Sequence, residues 1–194
     1  MEVISDYRFV LATGLLTVLT ALGVRWWLRR RRHGSVTDAL AAVGVEAMHD
    51  ILLPDGMGGE IHVEYLLLTG HGLVVLDVKH VRGTVFASDR MQEWTAINRD
   101  QRFAFLNPQA ALYDRVAALR LIARGVPVSG HVLFCEGADF SKGRPRDVIL
   151  PDELLSRYRK PEKVDLERIM EAFQPYWERV RRTAKPAAAP GDSG

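Results

Sequence analysis

The chain has 194 residues, 47% of them apolar, with 26 Lys+Arg against 24 Asp+Glu, enough for one globular domain with an added element but not for two full-sized domains. A charged fraction of 26% with 9 Pro excludes a disordered or collagen-like chain, and the single Cys, Cys135, excludes a disulfide framework or a multi-Cys zinc centre. The net charge of +2 is unevenly placed: residues 1–32 hold six arginines against Glu2 and Asp6, so the remaining chain is slightly acidic.

Phe9 to Val24 is a run of 16 residues without a charge, and Trp26, Trp27 and Leu28 extend it if Arg25 snorkels. Such a segment approaches the length needed to span a hydrocarbon core of about 30 Å. The Trp pair suits an interfacial belt, and the run Arg29–Arg32 follows at once. A secretory signal would carry its basic residues before the apolar run instead. The pattern predicts a transmembrane helix over 9–28, a short non-cytoplasmic tail over 1–8 and a basic juxtamembrane linker over 29–37. On this reading the protein is a single-pass protein of the cell membrane, bound to the lipid bilayer, with its C-terminal domain in the cytoplasm.

The domain proper is expected over 38–182. Val36 to His49 fits a helix, with Val36, Leu40, Val43 and Ala47 at helical spacing. Ile51–Leu53 is a short apolar run before the Gly-rich turn at 54–59, and the segments 61–69 and 73–81 read as a hairpin across Gly70-His71-Gly72. Strands are expected at 84–87 and around Trp94. Asn107-Pro108 supplies an N-cap and a first-turn proline for a helix striped by Leu112, Val116, Leu119 and Ile122, with Gly125 placed to end it. A buried strand over 126–135 and a short one at 148–150 follow. Next come a helix capped by Asp152 and a longer one over 164–182, kinked at Pro175. Residues 183–194, rich in Ala, Pro and Gly, read as disordered. The order describes an α/β domain with a mixed central sheet flanked by helices.

The hairpin carries charges that an apolar strand pair does not need. Glu64 stands within IHVEYLLLT, and Asp77 and Lys79 within LVVLDVKHV. Strand alternation puts Asp77 and Lys79 on one face and Val78 on the other. Desolvating such groups costs several kcal/mol unless something compensates. Two carboxylates from adjacent strands suit Mg²⁺ or Mn²⁺, and a nearby lysine can assist water attack or stabilise phosphoryl oxygens. The bland alternatives are an ion pair at a sheet end for Asp77 and Lys79, and an exposed edge position for Glu64.

The segment from Gly58-Gly59-Glu60 to Val85, with IHVEYLLLTGHGLVVLDVKHVRGTV, resembles the NERD (nuclease-related) domain, a branch of the PD-(D/E)xK nuclease-like superfamily. That pattern is an acid and apolar strand, a Gly turn, an apolar strand ending in Glu-x-Lys, then Gly, Trp and Asn-Pro. Gly83, Trp94 and Asn107-Pro108 occur in that order, and the likeness runs over about 50–136. The resemblance implies a restriction-endonuclease-like fold, a metal held by Glu64, Asp77 and the Val78 carbonyl, Lys79 in catalysis, and DNA or RNA as substrate.

Four departures accompany it. Glu64 stands where the family usually has Asp, and Asp77 where it has Glu. Gln109 directly follows Pro108 rather than lying a turn later, and no Gly-Glu opens the first helix, for which Glu46 or Asp38 would have to substitute. These changes favour the alternatives of a catalytically inactive membrane-tethered scaffold, or of a module that binds nucleic acid or a protein partner. Four further sets of residues rank lower. His62, His71 and His80 form no zinc-type spacing, Cys135 reads as core, and Pro54-Asp55 lies in a turn. Arg99, Arg102, Arg115, Arg120 and Arg124 read as solvated faces diluted by Asp100 and Asp114.

Overall fold

The computed structural model describes residue 36, residues 39–160 and residues 162–187. The membrane helix expected over 9–28 lies outside them. Among the described residues no helix is long and apolar enough to cross a membrane.

Among the described residues ten strands, three helices and a short helical stretch at 39–43 make a mixed α/β fold with two sheets rather than the single sheet expected. Sheet one contains β1 (Glu46–Pro54), β2 (Glu60–Thr69), β3 (Gly72–Lys79), β7 (Val128–Phe134), β9 (Val148–Ile149) and β10 (Lys185–Pro186). Its order is β10-β1-β2-β3-β7-β9. The pairs from β10 to β3 are antiparallel, whereas β3 with β7 and β7 with β9 are parallel. Sheet two is β6-β5-β4-β8, built from β4 (Gly83–Phe86), β5 (Glu93–Asn98), β6 (Gln101–Leu106) and β8 (Ala138–Asp139). A parallel pair needs a long crossover, and here it comprises the β4–β6 meander and helix α1 (Gln109–Ile122).

β3 is the axis of this arrangement. Seven of its eight residues are buried, as expected of a strand covered on both faces, which therefore reads as a continuous apolar run. Alternate residues serve different layers: Leu73 and Val75 join the core that includes Leu112, Val116 and Leu119 of α1. Trp94 and Phe134 stack at 6.4 Å, with Phe105 edge-on to Trp94 at 6.1 Å, tying sheet two to β7.

The expected helix over 36–49 is corrected. Residues 39–43 are helical, but Glu46 begins a strand. Gly44 gives the chain its exit, and the Val45 N–H donates to the Leu68 carbonyl at 2.7 Å. Pairing with β2 overrides the helical spacing, as tertiary contacts often do. β6 was not anticipated at all. The disordered reading of 183–194 fails for residues 183–187: Thr183 closes α3 (Lys163–Thr183), and β10 pairs with β1 at Ile51 and Leu52.

The expected cap at Asn107 is present, its Oδ1 accepting the Gln109 N–H at 2.9 Å. The next helix, α2 (Pro151–Arg157), starts two residues earlier than expected, with Leu150 rather than Asp152 at the cap, Pro151 opening the first turn and Glu153 reaching back to the Leu150 N–H at 3.3 Å. Helix α3 continues through Pro175 and buries Trp177, whose Nε1 donates to Glu46 Oε2 at 2.6 Å.

Gly72 sits where β3 meets both neighbours. Its φ is +108°, and a Cβ there would lie 2.3 Å from the Pro127 carbonyl oxygen, which accepts the Leu73 N–H. Gly58 has a φ of +95° with open space around it. Gly58→Ala is expected to cost about 1–2 kcal/mol from backbone conformation alone. Gly72→Ala is expected to cost more than ~3 kcal/mol, because backbone must also move. Urea unfolding of the two variants measures the difference, and equal losses would refute the packing argument.

Candidate functional site

The β2–β3 ladder runs from Thr69↔Gly72 to Tyr65↔Leu76. Continuing the register puts Glu64 opposite Asp77, and there the ladder stops. In its place Glu64 Oε2 accepts the Val78 N–H at 2.8 Å. The β1–β2 ladder has a gap at the same level: pairing skips from His49↔Tyr65 to Ile51↔Val63, because Asp50 between them has a φ of +49°. The sheet therefore loosens on both sides of Glu64, while Asp77 remains paired on its other side with Val132 of β7.

Asp77 falls on the face of β3 that carries Leu73 and Val75, the side covered by α1, and Glu64 lies close enough for the Asp77 charge to raise its proton affinity. Lys79 follows Asp77 on that face. Val78 projects oppositely, but its main chain belongs to the opening. The Lys79 carbonyl accepts Cys135 N–H on the β7 side, so the Val78 N–H and C=O point to the β2 side.

Asp77 is 3% exposed. Arg115 of α1 donates from Nη1 to Asp77 Oδ2 at 2.8 Å and from Nε to the His62 carbonyl at 2.6 Å. The other carboxylate oxygen, Oδ1, is buried with no hydrogen-bond partner. Burial raises the Asp77 pKa above its ordinary value, with Arg115, Lys79 and His62 pulling it back in part. Glu64 is likewise raised, chiefly by burial and also by Asp77 and Asp50, against the lowering by the Val78 hydrogen bond and Lys79. Two carboxyls that raise the proton affinity of the region, one with an orphaned oxygen, make a place where added positive charge is favourable.

Cation binding can be tested against this donor set. Two carboxylates and a main-chain oxygen are hard ligands of the kind that magnesium and manganese take, and the orphaned Asp77 Oδ1 is an unused acceptor. The fit is therefore chemical, with Arg115 as the group already holding Asp77. Among the described residues no group of three or more His, Cys, Asp and Glu side chains is arranged to hold a metal, so a cation here would complete its shell with water and substrate oxygens.

Other sequence-level candidates lie elsewhere. Glu46 is on a strand and accepts from Trp177 and Gln174, so it is not the additional helical acid; Asp38 lies outside the described residues. Asp55 closes its own turn through the Met57 and Gly59 N–H groups. His62 pairs with Asp50 at 3.2 Å, His80 with Glu136 at 3.3 Å, and His71 packs edge-on to Tyr158. Burial pushes the Cys135 thiol up to about 12, which leaves it protonated at neutral pH and a poor nucleophile.

Arg115 is the residue that the sequence reading misplaced. It is not on a solvated face but inserted against β3. The signal was available, since Arg115 lies three residues after Leu112 and four before Leu119, within the apolar stripe of α1. Gln109 was also undervalued: it is 2% exposed, and its Nε2 donates to Asp89 Oδ1 at 3.0 Å, fixing the start of the helix that carries Arg115.

A family model described as "Nuclease-related domain" (NERD) matches residues 31–135. That span includes Glu64, Asp77, Lys79 and Arg115. No curated protein and no solved structure matches the chain.

Removing Arg115 leaves a buried carboxylate without its cation. Arg115→Ala is expected to lose about 3 kcal/mol or more at neutral pH, with much of the loss recovered in Arg115→Ala/Asp77→Asn. The pH dependence has a definite sign. A carboxyl whose pKa is raised on folding binds more protons in the native state, so its contribution to stability falls as pH rises from the unfolded value through the folded one. Asp77→Asn should remove that part of the fall and Arg115→Ala should enlarge it. Urea titrations at several pH values between 4 and 7 measure both; parallel pH profiles for wild type and Asp77→Asn would contradict this account.

Proposed function

The chain belongs to the nuclease-related domain family, and from that premise we propose that it is a divalent-metal-dependent nuclease whose working groups are Glu64, Asp77 and Lys79. The observation that carries this reading is the pair of carboxyls at the end of the β2–β3 ladder, with Asp77 Oδ1 buried and unpartnered. Glu64, Asp77 and the Val78 carbonyl would hold Mg²⁺ or Mn²⁺. When bound, such an ion supplies Lewis-acid neutralisation of phosphoryl charge and acidifies a water.

The chain's own groups do the rest. Lys79, on the same strand face as Asp77, offers an ammonium to a phosphoryl oxygen that gains charge. Glu64 is oriented by the Val78 N–H, so its position follows the backbone of β3. Arg115 fixes Asp77 in one rotamer. It also competes for Asp77, and ligation through Oδ2 requires that the guanidinium move.

That competition favours a second reading, a module that keeps the fold and has lost the reaction. The Arg115–Asp77 contact is the specific observation behind it. In either reading the run over 9–28 tethers the domain to the bilayer from the cytoplasmic side. Retention of the full chain in the membrane fraction after an alkaline wash supports the tether, and release into the supernatant overturns it.

Activity is tested on the full chain with labelled single- and double-stranded DNA and RNA. Cleavage is expected to require Mg²⁺ or Mn²⁺, to fall about 100-fold in Lys79→Ala and to vanish in Asp77→Asn. Calorimetry should detect Mn²⁺ binding that is lost with Glu64→Gln. A wild type that neither binds Mn²⁺ nor cleaves any of the four substrates would leave the noncatalytic reading standing. Cleavage that persists unchanged in Lys79→Ala would remove Lys79 from the site.

A further inference from the structure

Sheet one ends, beyond β7, in the two-residue strand β9. Around it lies a cavity of about 430 Å³, framed by the turn before β9 and by α2. Arg144, Arg146 and Arg157 line it together with Ser156 and one carboxylate, Glu153. The volume suits a small ligand, and four of the eight lining residues are charged.

The carboxylate does not balance the arginines. Glu153 Oε1 accepts Arg144 Nη1 at 2.6 Å, and Oε2 accepts the Leu150 N–H at 3.3 Å. Its acceptors are thus committed, and its pKa is lowered by these contacts in spite of burial. Arg146 is 84% exposed and reaches Asp89 only at 3.8 Å. Asp89 itself is held by the Arg146 main-chain N–H and by Gln109, which anchors the turn while leaving the guanidinium available. Among the described residues no carboxylate lies at ion-pairing distance from Arg157. Two guanidiniums therefore face the cavity in excess of its negative charge, while the Ser156 hydroxyl is engaged with the Glu153 main-chain carbonyl, to which it donates at 3.0 Å. Planar guanidinium forks match the oxygens of a phosphate.

We propose that the cavity formed by Arg144, Arg146, Ser156 and Arg157 is a binding site for a phosphate group. It is distinct from the carboxylate pair. Val148 pairs with Val132, which pairs with Asp77, so the β9 edge lies two strand spacings from Asp77, about 10 Å. The proposal stands apart from the nuclease reading: the pocket's charge does not depend on Glu64, Asp77 or Lys79.

The test is calorimetric titration of the full chain with inorganic pyrophosphate. Arg146→Ala/Arg157→Ala is expected to weaken binding about tenfold or more. A control that loses the same charge at two exposed positions elsewhere, Arg99→Ala/Arg102→Ala, should bind as wild type does. Circular dichroism checks folding, and Arg157→Lys, which keeps the charge but loses the planar fork, should weaken binding by a smaller factor. Equal affinity in wild type and the Arg146/Arg157 variant overturns the proposal, as does the absence of pyrophosphate binding by wild type at millimolar concentration. Competition then identifies the source of the phosphate. Displacement by an oligonucleotide with hydroxyl ends indicates a nucleic-acid backbone. Displacement only by its 5′-phosphorylated form indicates a terminal monoester, and displacement by neither indicates a small phosphate compound.

Discussion

A carboxylate within a strand buried on both faces must be neutralised from outside that strand, and Asp77 places this demand on the fold. The answer comes from α1, where Arg115 leaves the helix's apolar stripe to reach Asp77 Oδ2 and the His62 carbonyl. One side chain thus fastens the helix to two adjacent strands, so the rotation of α1 about its axis is tied to the position of a single charge. Asn107 and Gln109 at the helix start, and the Asp89 contact behind them, secure the same helix from its other end.

The sheet is tight where it packs and loose where it carries charge. From Leu73 to Leu76 every residue of β3 has a partner on both neighbouring strands. One step later the β2 partner is lost, and across β2 Asp50 breaks the ladder with a left-handed residue. A non-glycine residue in that conformation costs energy that its surroundings must repay. The Ala187 N–H bonds the Asp50 carbonyl at 2.8 Å, so part of the repayment comes from the chain's C-terminal strand. The polar opening of the sheet and the C-terminal strand are consequently joined through one residue.

Local chemistry was legible in the sequence where it was decisive. The hairpin, the cap at Asn107 and the buried strand at 128–134 follow from periodicity and turn residues, and the charged interruptions at Glu64, Asp77 and Lys79 stood out against apolar neighbours. Nonlocal pairing was not legible. Glu46–His49 has acceptable helical spacing and becomes strand only because Tyr65–Leu68 lie beside it. Lys185 and Pro186 have no strand pattern of their own, yet β1 recruits them. Whether an arginine on a helix is solvated or inserted depends on what that helix covers. Arg115 could be placed at the rim of the apolar stripe from spacing, but its acceptor on β3 required the tertiary arrangement.

The two-residue lengths of β9 and β10 have a consequence for self-association. Among the described residues the outermost strands of sheet one are too short to offer a regular row of free main-chain groups, one of the devices that blunt a sheet edge. Sheet two is finished differently: its six-residue margin β6 is long, with Phe103 and Leu106 47% and 74% exposed. If two copies of this chain were ever to extend one sheet into another, β6 has the continuous hydrogen-bonding edge for it. On the larger sheet β9 and β10 are themselves too short for it, and each covers only two residues of the strand beside it.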